Sequence, residues 1–391
     1  MTRSPLTRSV PRRALLAAAG AAIALLLSPL GAASADVGHH ADRPAGAVFV
    51  QLNSADGNQI ATYARAASGL LTAQSTYPTG GNGGNEIGVP FDALASQGSL
   101  VLDSDHGVLL AVNAGSDTVT SFTVRGTSLT RASVVPSGGQ FPSSIAVHGD
   151  LVYVLNAGGS GSVSGFELKR GALVPLPGSQ RTLGLGNANP PVFISAPGQI
   201  GFSRNGRALI VTTKNHNQIL SFPVDRAGYA SATPLVAASA GPVPFSFVVD
   251  RRGTVHVTEA GTGRTSSYSV ARDGSLALLG SSASTGGAAL CWNIEVGHTI
   301  YGANAGSASL SAWQVAADGS ATLTNPVAAT TAAGPIDLAA SSNGRFLYVQ
   351  EAIAGSLGVY AVSGDGSLVR IQTVSGLPAF TTTGMEGIAA R

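Results

Sequence analysis

Short, unbroken apolar runs recur along the chain, each ending in a small polar turn and followed by an alternating run that closes on an aromatic residue. LLAVNAGSDTVTSF (109–122) shows the phrase, and LVYVLNAGGSGSVSGF (151–166), VHVTEAGTGRTSSY (255–268), IYGANAGSASLSAW (300–313) and FLYVQEAIAGSLGVY (346–360) repeat it. ALIVTTKNHNQILSF (208–222) and VFVQLNSADGNQIATY (48–63) are looser copies. A buried run, a tight turn and a period-2 run together read as two paired strands. The seven closing aromatics are Tyr63, Phe122, Phe166, Phe222, Tyr268, Trp313 and Tyr360, spaced 59, 44, 56, 46, 45 and 47 residues apart. Periods of this length with several short strands per unit mark the blades of a propeller. On this reading the aromatics pack between blades.

Each repeat divides into four strands, A to D. In the third, A is 145–147, B 151–155, C 162–168 and D 172–176. The A–B turns carry Ser203-Arg204-Asn205-Gly206, Asp250-Arg251-Arg252-Gly253 and Ser341-Ser342-Asn343-Gly344, residue types that accept the positive φ a hairpin requires. The first repeat begins at strand B and lacks an A strand. The chain's last residues, Gly387-Ile388-Ala389-Ala390, resemble the A strands Ser144-Ile145-Ala146-Val147 and Asp337-Leu338-Ala339-Ala340. The expected fold is therefore all-β: one seven-bladed propeller over 47–391, four antiparallel strands per blade. Segment 387–390 supplies the missing strand and closes the ring without an exposed edge.

Composition agrees, since 51 glycines and only 11% charged residues suit many tight turns. The net charge of +2 misleads, because Arg3, Arg8, Arg12 and Arg13 all lie in the first 35 residues, which hold no acid. They precede or flank the apolar run 14–27, and Ala33-Ser34-Ala35 fits a cleavage site, so 1–35 reads as an export signal cut after Ala35. An uncleaved anchor is the rival reading, and Arg12-Arg13 is compatible with either Sec or twin-arginine export. Residues 36–46 read as a flexible tail. The remainder has 18 basic and 20 acidic side chains, which leaves nucleic acid and anionic membrane as poor partners. Cys291 is the single cysteine, so no internal disulfide can form, and a buried, inert thiol is its plainest reading.

Strand alternation puts the starts of the A strands and the ends of the B strands on one face, together with two long D–A loops, 79–97 and 182–198. Around the expected mouth of the central channel, one ring reads Ser99, Ser144, Gln199, Ser246, Asn293, Asp337 and Gly387. A second reads Asn53, Asn113, Asn156, Thr213 with Lys214, Glu259, Asn304 and Glu351. Asp337 and Glu351, in one blade, are candidates for an acid/base pair or for binding a cation. The plainer reading of the Asn and Glu residues before Ala-Gly is that they hold turns.

NGRFLYVQEAIAGSLGVYAVSGDGSL (343–368) resembles the seven-bladed lactonase-like propellers, which include a bacterial 6-phosphogluconolactonase type and the fungal carboxymuconate cyclases. LVYVLNAGGSGSVSGF (151–166) also resembles the YVTN repeats of microbial surface proteins. The resemblance implies the propeller fold and a lactone or sugar-acid substrate, with histidine, arginine and glutamate on the loop face. In this chain the positions before the A strands hold Ser144, Gln199, Ser246, Asn293 and Asp337 instead of histidine, and of the histidines beyond the tail only His216 falls on that face. Two functions follow. One is a secreted enzyme that opens or forms a small lactone, with Asp337 or Glu351 activating water and Lys214 or Arg264 steadying a carboxylate or oxyanion. The other is a non-catalytic propeller that binds a glycan, peptide or cell-envelope partner through Gln199, Asn293, Ser246, Ser144, Glu259, Arg264 and Asn304. No cofactor or metal is implied by either.

Overall fold

The computed structural model describes residues 44–381 and 383–391; the export signal and most of the tail expected at the N-terminus lie outside them. Seven antiparallel sheets follow one another, each with its first strand innermost. Blade 2 is Leu100–Asp103, Val108–Asn113, Thr118–Arg125 and Ser128–Pro136, paired in that order. Blade 3 (A strand Pro142–His148) adds a short extra strand, Arg181–Thr182, on its C strand. The A strands of blades 4 to 7 are Gln199–Phe202, Pro244–Val249, Leu290–Val296 and Pro335–Ala340.

Blade 1 is closed as the sequence predicts. Its sheet runs Glu386–Ala390, Gly46–Gln51, Gln59–Arg65, Leu71–Pro78, so the last strand of the chain pairs antiparallel with the first. Ile388 sits opposite Val50 and is 4% exposed. Arg65 holds the junction by donating to the carbonyl oxygens of Ala45 and Arg391.

Every B strand is buried because it lies mid-sheet with a blade against each face, which is why the B segments read as unbroken apolar runs. The seven C-strand aromatics are all at most 5% exposed. They fill the seams: Phe122 packs with Phe49 and Ile60 of blade 1, and Phe166 with Val108 and Leu110 of blade 2. Burying one such ring is worth about 1.5–3 kcal/mol.

Register slips at the start of the A strand in blades 1, 3, 5, 6 and 7. Each slip is a bulge that re-aims the side chains at the channel mouth, the positions that the first ring occupies.

Candidate functional site

The mouth of the channel is filled by the chain itself. Loop 79–98 runs off blade 1, and its last turn crosses the axis. Leu94 N–H donates to Glu386 Oε1 (2.8 Å), Ser96 Oγ to the Ser143 carbonyl (2.8 Å) and Gln97 N–H to the Gly198 carbonyl (3.1 Å). Trp292 Nε1 donates to the Ser96 carbonyl (2.8 Å). Gln97 and Asn293 bond reciprocally, Gln97 Nε2 to the Asn293 carbonyl and Asn293 N–H to Gln97 Oε1, both at 3.0 Å. Blades 1, 3, 4 and 6 thus all grip one short segment. Gly387 has φ 69°, and a Cβ there would run into Ser99 and Leu100, so glycine lets the closing strand and the plug approach.

Most polar side chains of the first ring bond the chain itself, while Gln199 and Asp337 also line a cavity. Ser144 Oγ donates to the Gln97 carbonyl at 2.6 Å. Ser246 Oγ bonds the Cys291 carbonyl, and Asn293 Nδ2 the His256 carbonyl. Gln199 spans to Phe247 of the next blade through both ends of its amide. Asp337 Oδ1 accepts the Leu338 N–H at 3.0 Å, and burial pushes its carboxyl up to about 7, with Asp92 adding to the rise.

The second ring holds turns. Asn304 Nδ2 bonds Ser309 and Ser311 across its own B–C turn, and Glu259 Oε1 accepts Gly241 N–H at 2.7 Å. Glu351 faces away from the axis, bonding Arg370, Ser356 Oγ (2.7 Å) and Ala332 N–H (2.8 Å). The structure does not bring Glu351 to Asp337, so no acid/base pair forms between them. Arg264 is exposed on the rim and donates to the Ser282 carbonyl. Lys214 is fully buried: its ammonium bonds Glu86 Oε2 at 3.3 Å and the Phe193 carbonyl at 2.9 Å, with the Phe193 and Phe245 rings 5.6 and 5.4 Å away. An ammonium so enclosed does not reach a solvent-borne carboxylate.

One cavity lies along the axis and another beside the plug. Below the plug, one of about 330 Å³ runs between the inner strands from Gln97, Gln199 and Asp337 to the Leu102, Ala340 and Ala390 end. Above and beside the plug lies an apolar pocket of about 260 Å³. Phe91 comes from the first long loop and Phe193 with Ile194 from the second, while Phe245, Cys291 and Trp292 belong to blades 5 and 6. Phe245 and Trp292 meet edge to face, centroids 4.9 Å apart. Asp92 is the sole carboxyl among the lining residues. Desolvation pushes it up to about 7 against the backbone N–H groups of Leu94, Ser96 and Ala95 and the attraction of Lys214. Burial also raises Glu86 well above its ordinary range and pushes the Cys291 thiol up, so Cys291 is the inert thiol that the sequence suggests.

Sequence reasoning missed Glu86, Phe91, Asp92, Phe193, Phe245 and Trp292. A signal was present: Val89, Phe91, Leu94 and Ala95 make the first long loop too apolar for a solvated connection. Among the described residues, no group of three or more histidine, cysteine or acidic side chains is placed to hold a metal.

The sequence matches no family profile and no curated protein. Solved structures share the architecture. A periplasmic gluconolactonase of Pseudomonas aeruginosa superposes with a TM-score of 0.62 at 17% identity, over 85% of this chain and 98% of that one. A Bacteroides uniformis protein provisionally assigned as a 6-phosphogluconolactonase gives 0.65 at 17% identity, over 87% and 98%. A Lactobacillus plantarum protein gives 0.66 at 18%, over 88% and 98%. At these identities the likeness establishes the fold alone, a seven-bladed β-propeller.

Proposed function

We propose that this protein is an exported lactonase-like propeller whose ligand is a small, uncharged, largely apolar lactone. The ligand sits among Phe91, Phe193, Phe245 and Trp292. One observation carries the reading: the pocket on the loop face is walled by four aromatic rings, and the neighbouring ammonium, Lys214, is already paired with Glu86. A phosphorylated or acidic sugar needs an accessible cation and several hydrogen-bond donors. This pocket suits an alkyl- or aryl-substituted ring instead. Asp92, raised to about 7, is the group in the wall that can take a proton from water near neutral pH and open a lactone.

A non-catalytic binder using the same pocket is favoured by a different observation. Asp92 Oδ1 already accepts Leu94 N–H and Oδ2 accepts Ser96 N–H, which leaves little room to orient a water. Support for export is the leader pattern in residues 1–35; among the described residues no helix is long and apolar enough to cross a membrane.

Titration of dihydrocoumarin, δ-decalactone and gluconolactone, read by Trp292 fluorescence and by pH-stat, tests both readings. Saturable quenching by the first two and not by gluconolactone is expected, with ring opening lost in Asp92→Asn. A preference for gluconolactone sinks the apolar-ligand reading. Binding without turnover leaves the non-catalytic one.

A further inference from the structure

Lys214 occupies a repeated position. In blades 2, 3, 5, 6 and 7 the residue after the last B-strand position is Ala114, Ala157, Ala260, Ala305 and Ala352. Blade 4 puts a lysine there, fully buried, with a backbone φ of 26° that none of those alanines adopts. A buried cation and a strained non-glycine residue both oppose folding. Neither is needed to make a B–C turn, because five other blades manage with alanine.

What the lysine does is join the two long loops. Its Nζ bonds Glu86 of the first and the Phe193 carbonyl of the second. At the adjoining residue of each loop, Ile87 and Val192, a parallel bridge continues the seam, Ile87 N–H to the Pro191 carbonyl (2.8 Å) and Phe193 N–H to the Ile87 carbonyl (3.0 Å). Phe91 hangs from one side of this seam, and Phe193 and Ile194 from the other. The Phe193 and Phe245 rings that flank the ammonium also wall the pocket. Glu86 is wholly buried, and its second oxygen has no hydrogen-bond partner, so the carboxylate is held there by Lys214 at a cost in solvation.

We propose that Lys214 is a positioning residue that latches loops 79–98 and 182–198 together through Glu86 and the Phe193 carbonyl, so that the two aromatic halves of the pocket face each other. This inference rests on the pocket being the ligand site, and the latch itself can be tested apart from that reading.

The test is the double variant Glu86→Leu with Lys214→Met, which removes both charges and strands neither. Replacing a buried ion pair by apolar side chains of similar volume is commonly neutral or stabilising. The melting temperature should therefore stay at or above that of the unaltered protein. N-phenyl-1-naphthylamine, a neutral aromatic fluorophore, should bind at least tenfold more weakly to the variant. Amide hydrogen exchange should accelerate over 86–96 and 191–196 and stay unchanged in the B strands of all seven blades. Tight probe binding together with unaltered exchange in both loops would overturn the latch. If the unaltered protein fails to bind the probe, the ligand reading falls, and the loop exchange rates still decide whether Lys214 fastens the loops.

Discussion

Removal of residues 384–391 separates the closed ring from an open one. Truncation after Thr383 deletes the innermost strand of blade 1 and exposes the edge of Gly46–Gln51. The loss can be worked from what those eight residues touch. Met385 and Ile388 are 0% and 4% exposed, packed with Val48, Val50, Tyr348 and Val359. Burial of two such side chains is worth about 4–5 kcal/mol. The strand also makes two specific polar ties: Leu94 N–H to Glu386 Oε1, and Gln350 Nε2 to the Gly387 carbonyl. At about 1 kcal/mol net for each tie, the total comes to roughly 6–7 kcal/mol. A domain of some 350 residues unfolds with an entropy near 0.7 kcal/mol/K, so the melting temperature should fall by about 9 °C. Differential scanning fluorimetry at matched pH measures it, and a synthetic 384–391 peptide added in excess should recover part of the loss. The milder Ile388→Ala, which leaves a cavity between blades 7 and 1, should cost about 2–4 kcal/mol and lower the melting temperature by about 3–6 °C. A truncated chain melting within 2 °C of the full one would refute the closure energetics and with it the role of the last strand as the ring's seal.

Two further outcomes concern pH. Asp92 and Asp337 both stand at about 7 in the folded protein against an ordinary 3.8. Between those values the folded state binds more protons than the unfolded one, so stability is fullest below pH 4 and falls as pH rises toward 7, by up to ~4 kcal/mol per group; urea midpoints at pH 5 and pH 8 should show it, and a protein no less stable at pH 8 would refute it. His106 bridges blades 2 and 3, Nδ1 to Asp103 Oδ2 at 2.6 Å and Nε2 to Asp150 Oδ1 at 3.0 Å, and the bond to Asp103 raises its pKa. That bridge contributes below the ordinary histidine pKa and is lost as pH rises through the raised one, so the His106 ring proton should titrate later than a peptide histidine by NMR, and His106→Asn should flatten that part of the stability profile.

The fold was legible because a propeller repeats its physics. An unbroken B-strand run records burial on both faces, an aromatic in the C strand records a seam, and a headless first repeat with a spare last strand records closure. Each signal recurs at nearly the same spacing, so errors in one repeat are corrected by the others. The site was illegible for the opposite reason: it is built from what does not repeat. Asp337, Ser144 and Asn293 do stand at the channel mouth, as alignment of the blades implies. Whether that mouth is open depends on a single loop, 79–98, whose apolar residues Phe91 and Leu94 have no counterpart elsewhere. Bulges at five A-strand starts then aim the ring toward that loop, and a two-residue periodicity carries no trace of them. Lys214 shows how far sequence comparison within the chain can reach. Its departure from the alanine of its sister blades sets it apart in either reading. Only the burial of its ammonium, and the Glu86 found 128 residues away, turns a candidate anion clamp into a fastener between loops. In repeat proteins the residues that break the pattern deserve the first mutations, and the chemistry assigned to them has to wait for their partners.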